Sequence, residues 1–96
     1  MISSFADQAT QDIYNGIGSK KARRIPNQLW KIACRKLDML QAAHELDDLR
    51  IPPANRLERL KGNLKDFYSI RINDQYRIIF QWKDQNVFQV QITDYH

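Results

Sequence analysis

The stretch SIRINDQYRIIF, residues 69–80, decides the fold. It reads as two strands around a tight turn. Alternation puts Ile70 and Ile72 on one face of the first strand, with Ser69 and Arg71 on the other. On the second strand Tyr76, Ile78 and Phe80 share a face, and Arg77 points away from it. The apolar faces meet only in some registers. With Ile72 opposite Tyr76, Ile70 meets Ile78 and Arg71 lands opposite Arg77. That register needs a loop of about three residues, Asn73-Asp74-Gln75, an ordinary hairpin length. A two-residue loop would set Arg71 against Tyr76 and mix the faces. The pattern therefore opposes two like charges across a ladder, which is destabilising unless something compensates.

Working outward, Lys83-Asp84-Gln85-Asn86 turns the chain, and residues 87–93 read as the last strand. Matching Phe80 with Val90 and Trp82 with Phe88 continues the core face through Phe88, Val90 and Ile92. This leaves a second loop of about three residues between Lys83 and Val87. Upstream, residues 56–60 read as a strand ended by Lys61-Gly62, and residues 63–67 as a polar loop. Leu57 and Leu60 cannot both face the same way on a regular strand, so a bulge or strand end is expected near Lys61. Ile51-Pro52-Pro53 fixes an extended connection.

The first half is helical. Residues 6–14 predict a helix with Ala9, Ile13 and Tyr14 on one side. Asn15 and two glycines break it. From Pro26, suited to a first helical turn, the pattern runs to about Ala43. Leu29, Ala33, Leu37 and Leu40 form one buried stripe, with Lys31, Arg35, Lys36 and Asp38 mostly off it. His44 at the end reads as a capping or solvated residue. Residues 46–50 add a short helical turn, and residues 1–5 an edge strand. Helices followed by an antiparallel meander make the class α+β, with N-terminal helices packed on one face of the sheet.

Ninety-six residues predict a single domain, 1–96, with one modest core. Hydrophobic content of 43% and charged content of 27% suit a globular domain. No apolar stretch approaches the roughly 20 residues of a membrane span. The start MISSFADQATQD lacks a basic region leading into an apolar run, so no secretory signal and a cytoplasmic location are expected. The single Cys34 excludes an internal disulfide and leaves no zinc pattern, so no metal and no cofactor are expected. Fifteen Lys and Arg against eleven Asp and Glu give a net charge of +4. That balance permits nucleic-acid binding without requiring it. Lys20, Lys21, Arg23 and Arg24 concentrate part of it in one run. That run reads either as a solvated, mobile loop or as an arm that touches nucleic acid.

The outer face of the sheet then carries Arg71, Arg77, Ile79, Gln81, Gln89, Gln91 and Thr93. An antiparallel sheet can be covered on one side and wet on the other. Lys61 enters from the preceding strand, and Asp94-Tyr95-His96 closes the chain at the edge of the same sheet. Guanidinium forks suit phosphate, lysine adds a point charge, and histidine titrates near neutral pH. Such a set can cleave RNA without a metal. The ribose 2′-OH attacks the adjacent phosphorus, one group takes its proton, another protonates the leaving 5′-oxygen, and cations stabilise the phosphorane. The competing reading pairs each arginine with a nearby Asp66, Asp74 or Asp94 on an ordinary solvent face.

PPANRLERLKG (residues 52–62), YSIRINDQYRIIFQW (68–82) and VQITDYH (90–96), with the start Met-Ile-x-Ser-Phe and a central Lys-Leu-x-x-Leu helix, resemble one known family. It is the HigB branch of the RelE/ParE toxin superfamily, the plasmid-maintenance killer proteins. The resemblance spans nearly the whole chain. It implies a ribosome-dependent mRNA endonuclease that cuts in the ribosomal A site without a metal. It also implies a HigA-type helix-turn-helix antitoxin as partner, with operator DNA met only through that complex. By position, Lys61 matches the Lys of Leu-Lys-Gly, Arg71 the Arg of Ser-Ile-Arg, and Arg77 the Arg that follows Gln-Tyr. Asp94, Tyr95 and His96 match the terminal acid, aromatic and histidine. The resemblance makes His96 the general acid or base, with Asp94 orienting it or itself the base. Tyr95 stacks on a base or bonds the phosphate, while Lys61, Arg71 and Arg77 stabilise the transition state. Some members carry a second histidine where this chain has Glu58, so Glu58 is a further candidate base. Arg56 and Arg59 join the basic run as RNA-binding candidates. Two other readings remain: a ParE-like gyrase inhibitor that cuts no RNA, and a catalytically weak RNA-binding toxin.

Overall fold

The computed structural model describes residues 1–94; Tyr95 and His96 lie outside the described residues. Asn73 builds the central hairpin. Its side-chain oxygen accepts from the backbone N–H of Gln75 (2.9 Å) and of Tyr76 (2.7 Å). The Ile72 N–H donates to the Tyr76 carbonyl at 2.9 Å. These bonds close the loop at the length the alternation demands. Strands β2 (Phe67–Arg71) and β3 (Tyr76–Lys83) accordingly pair with Ile70 opposite Ile78 and Arg71 opposite Arg77. The register expected from the sequence holds.

The second hairpin departs from expectation. Strand β4 (Asn86–Asp94) pairs Lys83 with Asn86 and Trp82 with Val87, not with Phe88. The loop is two residues long. Asp84 and Gln85 have φ of 52° and 67°, the left-handed pair of a primed turn, whose twist matches that of the strands. The residue this saves is returned at Gln89, φ 54°, where the ladder steps from Ile79–Gln91 to Gln81–Phe88. This is a β-bulge. Val87 thereby enters the core with no exposed surface, and Phe88 leaves it half-buried.

The first strand is also shorter than expected. β1 is only Glu58–Arg59, opposite Ser69 and Tyr68, because Arg56 adopts a left-handed φ of 47°. The sheet order is β1-β2-β3-β4, every pair antiparallel.

Helices α1 (Gln8–Tyr14) and α2 (Trp30–Ala42) join the core on one face of this sheet. Asp7 caps α1 by accepting from the Thr10 N–H at 2.9 Å. Ala33, Leu37 and Leu40 of α2 are fully buried in one cluster with Ile70, Ile78, Phe80, Val90 and Ile92. Lys36 is a correction. The pattern left it off the stripe, yet it is buried. Its ammonium donates to the side-chain oxygen of Asn55, whose amide donates to the Leu49 carbonyl at 3.1 Å. The Lys36 stem covers apolar surface while the head finds this buried acceptor. Burial, and secondarily the Arg35 charge, hold its pKa below the ordinary lysine value.

The free edge of β4 is covered by the chain start. Ser3 and Ala6 N–H groups donate to the Val87 and Val90 carbonyls at 2.7 and 2.9 Å. The buried Thr10 hydroxyl oxygen accepts from the Ile92 N–H at 2.9 Å. The expected edge strand is therefore present as two isolated parallel bridges, Ile2–Val87 and Phe5–Val90. Such cover removes an edge prone to pairing with other chains.

The basic run is tethered. Asp12 accepts from Ser19 Oγ at 2.6 Å, Ser19 Oγ accepts from the Ala22 N–H at 3.1 Å, and Arg24 pairs with Asp7. Ala22 and Ile25 are buried beneath it. The Ser19 bond, then the Gln8 bond, hold the Asp12 carboxyl below its ordinary value of 3.8. A depressed carboxylate pKa adds stability above the unfolded value, and this is lost as pH falls through the folded one. Ser19→Ala should raise the Asp12 pKa, destabilise the fold at neutral pH, and lose that difference in acid. It should also speed amide exchange at Arg23 to Ile25. An unchanged Asp12 titration by NMR would contradict the tether.

Candidate active site

Pairing fixes what shares the outer face. Thr93 lies opposite Arg77, Arg77 opposite Arg71, and Ser69 opposite both Ile79 and Glu58. Glu58, Ser69, Arg71, Arg77 and Thr93 therefore stand together. The opposed arginines are relieved by separate acceptors. The Arg77 side chain is 10% exposed; its Nε donates to Ser69 Oγ at 2.8 Å and its Nη2 to the Arg56 carbonyl at 2.7 Å. Glu58 Oε2 lies 4.0 Å from the same nitrogen. The Arg71 side chain, 30% exposed, turns the other way along the strands and pairs with Asp74 in the loop. The two guanidiniums diverge, so no anion between them is needed for folding. Arg77 is a strut across β2, β3 and the segment entering β1, while Arg71 stays within reach of solvent.

Lys61 lies two residues beyond the end of β1 and is exposed. With Glu58, Arg59, Leu60 and Leu64 it lines an open cavity of about 320 Å³. Glu58 links this cavity to Arg77. Asp94 lies opposite Tyr76, so alternation sets it off the arginine face; it accepts from Gln75 Nε2 at 3.1 Å beside the 73–75 loop. Tyr95 and His96 are outside the described residues. Of the sequence candidates, the structure thus brings Glu58 together with Lys61 at the cavity and with Arg77 on the sheet, while Arg71 shares the sheet face but points toward the 73–75 loop.

The RNA-binding candidates are dispersed. Lys20, Lys21, Arg23 and Arg24 sit in the loop packed on α1, in the helical layer. Arg56 offers its carbonyl to Arg77. Arg59 pairs opposite Tyr68 and its Nε donates to the Lys65 carbonyl at 3.3 Å. Ser69 was not among the candidates, although alternation alone sets it on the arginine face as a small acceptor. Among the described residues no group of three His, Cys, Asp or Glu could hold a metal ion. The exposed Arg59 guanidinium, the Lys61 ammonium and the Glu58 carboxylate around this open cavity can bind a phosphodiester and accept a proton.

The two arginines should separate on substitution. Arg77→Ala leaves the buried Ser69 hydroxyl and the Arg56 carbonyl without their donor and should cost about 2–4 kcal/mol in urea denaturation. Arg71→Ala breaks one exposed pair and should cost far less. Equal losses would contradict the division of roles.

A sequence model described as the RelE-like toxin of type II toxin–antitoxin system HigB matches residues 3–96. Toxin HigB-1 of Vibrio cholerae serotype O1 is 48% identical over 84 residues, covering 88% of this chain and 86% of that protein. The heterotetrameric YoeB–YefM toxin–antitoxin complex from Staphylococcus aureus contains a chain of the same fold. Its TM-score is 0.59 at 18% identity, over 100% of this chain and 98% of that one. The YoeB dimer from the same organism gives 0.58 at 24% identity, over 99% and 94%. The hairpin, the helical layer and a match over nearly every residue agree: this chain belongs to the HigB-like family of RelE-like toxins of type II toxin–antitoxin systems.

Proposed function

We propose that this toxin is a metal-independent mRNA endonuclease that acts in the ribosomal A site and is restrained by a HigA-type helix-turn-helix antitoxin. The observation that carries the reading is the position of Glu58, which shares an open cavity with Lys61 and lies 4.0 Å from the Arg77 guanidinium, on the face that also carries Arg71. These are the positions at which the family resemblance implies catalysis. The ribosome supplies the substrate in a fixed pose, which suits so open a site.

In the proposed reaction the ribose 2′-oxygen attacks phosphorus and the bond from phosphorus to the 5′-oxygen breaks. A 2′,3′-cyclic phosphate and a 5′-hydroxyl result. The base takes the 2′-proton, and the acid returns one to the 5′-oxygen. His96 and Glu58 are assigned these transfers, with Tyr95 as a contact to base or phosphate. Asp94, engaged with Gln75, suits an orienting role better than that of the base. Lys61 and Arg71 hold the phosphate and the charge that grows on it. Arg77 holds β1 in place and so acts through Glu58 and Arg71 as a positioning residue.

The test is mapping of mRNA 5′ ends on translating ribosomes. Wild type should cut within A-site codons, and His96→Ala should lower cutting by about 100-fold or more while folding normally. Antitoxin added beforehand should abolish the cuts. Growth arrest without any cut would point instead to a target such as gyrase and overturn the reading.

A further inference from the structure

The bulge at Gln89 spends an aromatic residue outside the core. Phe88 would have continued the core face; instead it joins a groove at the end of the sheet far from the 73–75 loop. That groove, about 600 Å³ and open to solvent, is lined by Arg59, Asp66, Tyr68, Gln81, Trp82, Lys83, Phe88 and Gln89. Tyr68, Trp82 and Phe88 are all half-buried, so each retains accessible surface. The two cations outnumber the one carboxylate. Arg59 also lines the Glu58–Lys61 cavity, so the groove and the candidate active site adjoin through one side chain.

Aromatic rings interleaved with cations, in a groove continuous with a phosphate site, fit single-stranded nucleic acid. Rings stack on bases of any sequence, and Lys and Arg track the backbone. We propose that this groove is a second RNA subsite, which stacks one or two bases flanking the cut nucleotide on Tyr68, Trp82 and Phe88 while Arg59 and Lys83 contact their phosphates. This rests on the endonuclease reading above and adds a site to it. A peptide partner is the competing occupant. Charge favours RNA, because a lining with cations in excess adjoins a further lysine at position 61.

Trp82 provides the signal. In a Trp30→Phe background it is the remaining tryptophan, and base stacking should quench its fluorescence. The probe is a single-stranded hexa-adenylate RNA with a 5′-phosphate, titrated at low salt into the full chain. Quenching should saturate, Phe88→Ala should weaken binding about fivefold or more, and Lys83→Glu should weaken it and flatten its salt dependence. Phe88 lies outside the core cluster, and Lys83 is exposed at a turn, so both variants should fold. His96→Ala should bind the probe as wild type does, which separates this subsite from the chemistry. Absence of cutting by wild type with probe binding intact would sink the endonuclease reading and leave the subsite standing. Absence of quenching, quenching indifferent to both groove variants, or a groove blocked by antitoxin but not by RNA would overturn the subsite.

Discussion

Asn73 sets the register of the central hairpin through two backbone hydrogen bonds, and the rest of the outer face follows from that register. A slip of one residue would turn either Ile70 and Ile72 or Ile78 and Phe80 outward. Each such side chain is worth about 1.5–3 kcal/mol when buried, so the correct pairing wins by a wide margin. The same pairing forces Arg71 against Arg77. The fold tolerates this because the two side chains leave in opposite directions, one to the loop and one to Ser69 and the Arg56 carbonyl. A repulsive pair becomes a strut and a hook held by Asp74.

The first hairpin was legible because its apolar alternation is unbroken on both strands. The helical stripe was legible for the same reason. The second hairpin was not. Asp84 and Gln85 are not a glycine-bearing turn pair, so nothing in the pattern marks two consecutive left-handed residues. The bulge at Gln89 follows from that turn and carries Phe88 out of the core, which alternation alone cannot show. Lys36 was missed because its acceptor, Asn55, lies 19 residues away. The tether of the basic run depends on Asp12 and Asp7, which read as ordinary helix residues until the fold brings the loop back.

Of the candidate site, position along the chain was legible and division of labour was not. The pairing of Arg71 with Arg77 came from the strand pattern, but both arginines then read as phosphate ligands. Burial separates them: a guanidinium with its donors committed to protein acceptors organises a site, while one held only by an exposed carboxylate can exchange that partner for phosphate. Glu58 gains weight from the structure, since it touches both the Arg77 strut and the cavity beside Lys61.

The most direct measurement is the structure of this toxin on a ribosome whose A-site message carries a 2′-O-methyl group at the cut nucleotide, which blocks the attacking oxygen. The account places the scissile phosphate against Arg71 and Lys61, with Arg71 released from Asp74 and Arg77 still bonded to Ser69 and the Arg56 carbonyl. A message seated on the helical layer, or Arg77 swung out to hold the phosphate, would contradict it.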